Sequence, residues 1–253
     1  MTSLQELQAR RVRECRLVPE RALESLEEAE EFLHDRGMLT LAADSALPSL
    51  FEACHQEPYR RGRGGFAEWP AEAYWWPFAL QEREGIYAAK IHRGKVLLLD
   101  APTAALADPI CRAELARLEE WPAEGRLLRH LADAGPSTLE DLKVELQLSP
   151  RDLRNARSVL ERVGAIVRHS VSLEAGLETT KLARWDQAFP QPADGGGLEE
   201  LIVAAVRAAV VALEPELARW FSWRWLWEDE LVERLVSSGR LIRPEPGWIA
   251  LAN

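Results

Sequence analysis

Ser149-Pro150-Arg151-Asp152-Leu153-Arg154-Asn155-Ala156-Arg157-Ser158-Val159-Leu160-Glu161-Arg162-Val163-Gly164 is the stretch on which the fold turns. Ser149 is a helix cap, Pro150 suits the first helical position, and Asp152 places an acid in the first turn. Leu153, Ala156, Leu160 and Val163 recur at spacings of three and four, which defines a buried stripe. Arg151, Arg154, Asn155, Ser158 and Arg162 fall on the opposite side, and Gly164 ends the helix. Upstream, Leu127, Leu128 and Leu131 form the stripe of a short helix stopped at Ala134-Gly135-Pro136. Ser137-Thr138-Leu139-Glu140 then reads as a capping box opening a second helix, with Leu139, Leu142 and Leu146 inward. Downstream, Ile166-Val167-Arg168-His169-Ser170-Val171 is β-prone and pairs, on this reading, with residues 177–182. Three helices and a hairpin in that order describe a winged helix.

Further out, the same pattern returns in weaker form. Ser3 and Glu6 cap a helix over residues 3–16, and residues 25–36 form an acidic amphipathic helix stopped by Gly37. Met38-Leu39-Thr40-Leu41 reads as a short strand, and residues 70–83 as a helix that Pro77 breaks or restarts. Trp75, Trp76, Phe78 and Leu80 are expected in the core. Ile86 to Ile91 and Val96 to Leu99 form the clearest hairpin, turning at His92-Arg93-Gly94-Lys95. Residues 190–197 have the composition of a linker, followed by an apolar helix over residues 198–213. Trp220, Trp223 and Trp227 then recur at helical spacing, with Trp225 off the stripe. A closing hairpin spans Arg240 to Leu251. The fold class is therefore mainly α with small β-hairpins, an α+β chain of tandem winged-helix units. The boundaries are residues 1–121 for an N-terminal helical region with a hairpin, readable as a degenerate winged helix. Residues 122–190 follow as the central winged helix, and residues 198–253 as a C-terminal degenerate one.

The chain of 253 residues carries a net charge of −10, which argues against an indiscriminate DNA binder. The charge is segregated, however. Residues 149–170 hold five arginines against Asp152 and Glu161, and residues 59–95 hold seven Lys or Arg against four Glu. No apolar run approaches the roughly 20 residues needed to span a bilayer, and the N-terminus has no signal-peptide pattern. Cys15, Cys54 and Cys111 are far apart and read as reduced thiols of a cytoplasmic protein, nucleoid-associated if it binds DNA. No membrane partner is expected. His34, His55, His92, His130 and His169 show no metal-binding spacing, and no phosphate-loop or dinucleotide motif is present, so neither a metal nor a cofactor is expected.

Double-stranded DNA is the partner this pattern favours. Arg151, Arg154, Asn155, Arg157, Ser158 and Arg162 are the candidate groove and phosphate contacts on the helix, with Arg168, His169 and Lys181 on the wing. Lys90, His92, Arg93 and Lys95 line the first hairpin and its tip. Arg60, Arg61 and Arg63 lie in the loop Tyr59-Arg60-Arg61-Gly62-Arg63-Gly64-Gly65-Phe66, suited equally to tracking a backbone and to plain solvation. The terminal helix admits either a monomer or a homodimer.

The Trp75-Trp76 helix, the Ile86-Tyr87…Lys90…Arg93-Gly94-Lys95 hairpin with its Leu97-Leu98-Leu99 return, and the central winged helix together resemble the AlkZ/YcaQ-type winged-helix proteins. These belong to a crosslink-repair DNA glycosylase-like superfamily, and the likeness is to its shorter AlkZ-related branch. The Trp-rich C-terminal unit fits more loosely. The resemblance implies DNA binding. Catalytic members of that family release N7-alkylated purines and unhook interstrand crosslinks without metal or cofactor, through a Gln-apolar-Gln or Gln-apolar-Asp motif. Gln5, Gln8, Gln56, Gln81, Gln147, Gln187 and Gln191 are the chain's glutamines, and none has Gln or Asp two positions on. No catalytic residue is assigned, and the balance leans away from an enzyme. Two alternatives stay open. One is an active glycosylase for alkylated or crosslinked purines whose catalytic group is displaced to Asp186, Gln187 or an acid near the hairpin. The other is a winged-helix transcription regulator or protein-interaction module.

Overall fold

The structure, a computed structural model, describes residues 2–58, 61, 69–172 and 178–252. The chain opens with α1 (Leu4–Glu14), held by the reciprocal Ser3–Glu6 capping box. Next comes α2 (Leu26–Arg36), capped by Ser25 and stopped by Gly37 in the left-handed conformation. After β1 (Met38–Thr40) and α3 (Leu50–Ala53), Pro77 occupies the first turn of α4 (Trp76–Gln81), so it restarts the helix rather than interrupting it. β2 (Ile86–His92) and β3 (Lys95–Asp100) are joined by a two-residue turn. Arg93 and Gly94 both take positive φ there, as the hairpin twist requires. Asp100 then caps the long α5 (Ala101–Leu118).

The central unit follows as α6 (Pro122–Ala134), β4 (Ser137–Thr138), α7 (Leu139–Glu145), α8 (Pro150–Arg162), β5 (Ile166–Ser172) and β6 (Glu178–Arg184). The capping box of α7 uses Thr138 and Asp141, one residue later than the sequence suggests, and the Ser137 hydroxyl instead donates to the Gly135 carbonyl at 2.9 Å. The short α9 (Trp185–Ala188) ends the unit.

Two C-terminal expectations are corrected. The apolar helix stops early: α10 spans Leu198–Ala209, Val210 turns to a φ of 69°, and β7 (Val211–Leu213) pairs with β9 (Trp248–Leu251). The tryptophan stripe is not one helix. α11 covers only Glu214–Leu217, and a 3₁₀ turn follows at Arg224–Leu226 before α12 (Leu231–Ser237) and β8 (Leu241–Ile242). Trp220 and Trp223 nevertheless enter the core as their spacing suggests, while Trp225 is 54% exposed.

Among the described residues three small antiparallel sheets result, ordered β1-β3-β2, β4-β6-β5 and β7-β9-β8. In each, an early short strand pairs with the far strand of a later hairpin, the arrangement of a winged-helix unit. The first sheet is covered on both faces: Leu97 and Leu99 point into one apolar cluster and Leu98 into another. The larger cluster runs through all three sheets, from Ile91 through Leu160 and Trp185 to Leu201 and Ile249. The linker-like residues 190–197 are docked rather than free. Asp108 accepts from the Ala193 amide at 2.9 Å, and the Gly197 amide donates to the Leu106 carbonyl at 2.8 Å. Gly196 lies so close that a Cβ would stand 2.9 Å from the Leu106 backbone. Cys15, Cys54 and Cys111 are buried free thiols, and burial pushes Cys54 up to about 12.

Among the described residues, no helix is long and apolar enough to cross a membrane, and no group of His, Cys, Asp and Glu is placed to hold a metal ion.

Candidate nucleic-acid interface and central cleft

The amphipathic pattern of α8 fixes which of its arginines meet solvent. Leu153, Ala156 and Leu160 are buried, so Arg151, Arg154, Asn155, Ser158 and Arg162 face outward together. Arg151, Arg154 and Arg162 form no ion pair with a described residue, and the one acid in the first turn, Asp152, is bound to its cap Ser149 at 2.7 Å. Unpaired guanidinium groups on one helix face are an electrostatic footprint of the kind a phosphate backbone meets. The first hairpin borders it. A Cβ at Gly94 would lie 3.6 Å from Arg162 Nε, so the exposed Arg93 and Lys95 beside that glycine border the end of α8.

Other residues expected at this surface do different work. His92 is fully buried: Nδ1 lies 2.6 Å from the Trp220 carbonyl and Nε2 2.9 Å from Asp44, so it anchors the hairpin to the C-terminal unit and cannot touch DNA. Arg93 donates to the carbonyls of Arg219 and Asp44, and Lys95 to the Asp44 carboxylate at 2.6 Å. Burial opposes ionisation of Asp44, but hydrogen bonds from Lys95 and His92 outweigh it and hold its pKa below the usual carboxylate value. Arg61 is exposed and paired with Glu57. Arg60 and Arg63, with most of their glycine-rich loop, lie outside the described residues. On the wing, Lys181 is half-buried and pairs in register with position 169.

Lys90, Arg157 and Arg168 share one unforeseen partner, Glu161. Its side chain is only 3% exposed, on the inner side of α8. Lys90 Nζ donates to Oε2 at 2.7 Å, Arg168 Nε stands 3.2 Å from Oε1, and Arg157 Nε 3.8 Å from it. Neither arginine Nε nor Glu161 Oε1 completes a hydrogen bond. Sequence reasoning passed over Glu161 as an ordinary acid in an Arg-rich helix. The signal present was its position one residue after Leu160, on the edge of the buried stripe.

Glu161, Lys90 and Arg168 open onto a cleft of about 920 Å³ between the first sheet and the central wing. Its other wall carries Phe51, Trp69 and Phe78. A run of rings continues outward from there: Trp69 meets Tyr74 at 5.6 Å, Tyr74 meets Phe78 at 6.1 Å, and Phe78 meets Trp75 at 5.7 Å. Trp75 is 53% exposed, which corrects its expected place in the core. Gln56 and Gln81 also line the cleft, each with one end of its amide engaged: Gln56 accepts from the Ala73 amide, and Gln81 donates to the Pro77 carbonyl.

Asp186 and Gln187, two of the groups suggested as displaced catalytic residues, are both engaged within the fold. Asp186 is gripped by the Arg184 guanidinium through two contacts of 2.9 Å, which holds its pKa below the usual range, and Gln187 bridges the Leu131 carbonyl and the Arg184 amide.

The fold is one of winged-helix units gathered around a central cleft. The solved structure that carries the comparison is Streptomyces sahachiroi DNA glycosylase AlkZ, which this chain matches with a TM-score of 0.59 over 99% of its own length and 70% of the other chain. Identity is 14%, so the likeness establishes an AlkZ-like fold. No family model and no curated protein matches the sequence.

Proposed function

We propose that this protein binds double-stranded DNA through the outer face of α8 and serves in DNA repair. The observation that carries the reading is the row Arg151, Arg154, Asn155, Ser158 and Arg162, exposed together, with none of its three arginines ion-paired to a described residue. Arginine, asparagine and serine are the side chains that meet base edges and phosphates when a helix enters the major groove. The fold shared with a glycosylase supports a role in repair, and the engaged state of Asp186 and Gln187 supports a role that does not run through them.

Fluorescence anisotropy of a labelled duplex, plain and carrying an alkylated guanine, across a salt series tests this. Affinity is expected to fall steeply with salt and to favour the damaged duplex. Release of the alkylated base on incubation would add catalysis to binding. Equal binding to both duplexes with a sequence preference would make the protein a regulator instead. No binding to either would overturn the reading.

A further inference from the structure

Arginine supplies nearly all the positive charge of this chain: of 31 basic side chains only Lys90, Lys95, Lys143 and Lys181 are lysines. Against a buried carboxylate the ordinary choice is arginine, whose planar fork can satisfy both oxygens. The buried Glu161 instead has a lysine as its closest partner. Lys90 Nζ stands 2.7 Å from Oε2, nearer than Arg168 at 3.2 Å or Arg157 at 3.8 Å from Oε1. What lysine offers and arginine does not is an amine that can give up a proton and attack a carbon. Lys90 is placed for that. It lines the central cleft, and Glu161 is its one hydrogen-bond partner among the described residues, which leaves the other two ammonium hydrogens unused. Glu161 is placed as its base, since the proton already lies on the hydrogen bond that joins them. Lys95, the other lysine of the cleft, is matched less well: Asp44 has both oxygens engaged, by Lys95 and His92, whereas Glu161 Oε1 completes no hydrogen bond. The charged groups lining the cleft balance, Lys90, Lys95 and Arg168 against Asp44, Glu52 and Glu161, so the group it accommodates at least electrostatic cost is neutral. An aldehyde meets that condition and is the carbon a lysine amine condenses with.

We infer that Lys90 is an imine-forming nucleophile acting on the aldehyde of an abasic deoxyribose in DNA, with Glu161 as its base. The inference rests on the duplex-binding reading above, which brings the sugar to the protein. An abasic nucleotide has no base to hold it in the stack, so turning it into the cleft costs least there. Glu161 takes a proton from Nζ, and the neutral amine adds to C1′ of the open-chain sugar. A second nitrogen proton passes to the aldehyde oxygen, giving a carbinolamine. Glu161 returns the first proton to that hydroxyl, which leaves as water while the nitrogen lone pair closes the C=N bond as an iminium. Glu161, again a carboxylate, then takes a C2′ proton. The electron pair so released expels the 3′-phosphate and nicks the strand, and water hydrolyses the imine to free Lys90.

Sodium cyanoborohydride reduces such an imine to a stable amine and so joins protein to DNA. The whole protein is incubated with the reductant and a duplex carrying one abasic site, a tetrahydrofuran analogue that lacks the aldehyde, or neither. A covalent adduct is expected with the abasic duplex alone, and peptide mass spectrometry should place it on Lys90. Lys90→Arg keeps the charge against Glu161 but has no amine to condense, so the adduct should fall at least tenfold with the thermal midpoint in place. Glu161→Gln should slow adduct formation roughly a hundredfold, the worth of a general base. Anisotropy on the same duplexes separates the two readings. An abasic duplex that is bound but never trapped would overturn this inference and leave duplex binding standing. If no duplex is bound, 2-deoxyribose at high concentration replaces it: labelling of Lys90 would sustain the inference without the duplex reading, and its absence would overturn both. An adduct undiminished in Lys90→Arg, or a rate unchanged in Glu161→Gln, would also overturn the assignment.

Discussion

The two sides of α8 bear arginines with opposite fates. On the outer side Arg151, Arg154 and Arg162 stand in solvent without ion-pair partners among the described residues, whereas Arg157, from the same helix, is turned onto the buried Glu161. The difference is one of helical phase. Arg157 follows the buried Ala156 and sits four residues before Glu161, close to the edge of the apolar stripe, so its shortest route to a charge partner is inward. A count of arginines along an amphipathic helix therefore overstates the cations that its outer face presents. It also hides the cations gathered behind that helix.

The largest effect that would break this contrast is expected at Glu161. Glu161→Ala strips Lys90, Arg157 and Arg168 of their shared carboxylate and should destabilise the protein by about 2 to 3 kcal/mol. That lies at or below the low end for a broken buried pair, because the cations keep some solvent. Urea unfolding measures it, and a loss within about 0.5 kcal/mol, as for an ordinary surface site, would show that the cluster is not a structural unit.

Next in size is the outer face. Arg154→Ala with Arg162→Ala should weaken duplex binding and reduce the salt slope by roughly 1.8, about 0.9 for each phosphate that is no longer neutralised. Arg157→Ala should leave that slope unchanged, and anisotropy at several salt concentrations compares them directly. A slope that drops in Arg157→Ala by as much as it does per arginine in the double variant would erase the distinction between the faces.

Ser149→Ala removes the side-chain cap that accepts from the Asp152 amide at 3.1 Å, for a loss of about 1 kcal/mol in chemical denaturation. Duplex affinity should fall less than in the arginine variants.

The smallest effect lies off the helix and appears only in acid. The hydrogen bond from Arg184 depresses Asp186 below its ordinary 3.8, so the carboxylate contributes stability above that pH and loses it as pH falls through the folded value. Asp186→Asn should flatten stability against pH below about 4 and leave base-release assays, if positive, unaffected. Loss of base release in this variant would return Asp186 to a catalytic role.

Much of the architecture was legible because it is written locally. The Ser149-Pro150 start, the Leu153–Leu160 stripe and the Arg93-Gly94 turn each depend on neighbours a few residues away, and all three stand as read. What escaped reading depends on distant pairs. β7 exists because Val211 and Leu213 find β9 some forty residues on, which ends the helix that their apolar character alone would extend. His92 looked like a hairpin tip and became an anchor because Trp220 and Asp44 come from far along the chain to meet it. The cleft was least visible of all. Lys90 and Glu161 are 71 positions apart, and neither residue type at its own place signals the other.

The docked segment between α9 and α10 has a consequence for how the molecule behaves mechanically. A free eight-residue tether would let the third unit sample many orientations and act as a module at a high but finite effective concentration. Gly196 seated on Leu106, with Ala193 and Gly197 hydrogen-bonded to Asp108 and Leu106, makes the segment a clasp. Cutting the peptide there would leave two pieces still joined by the core that runs from Ile91 to Ile249. The Trp-rich unit is accordingly a fixed wall of the body, joined to α8 in one outline rather than tethered beside it.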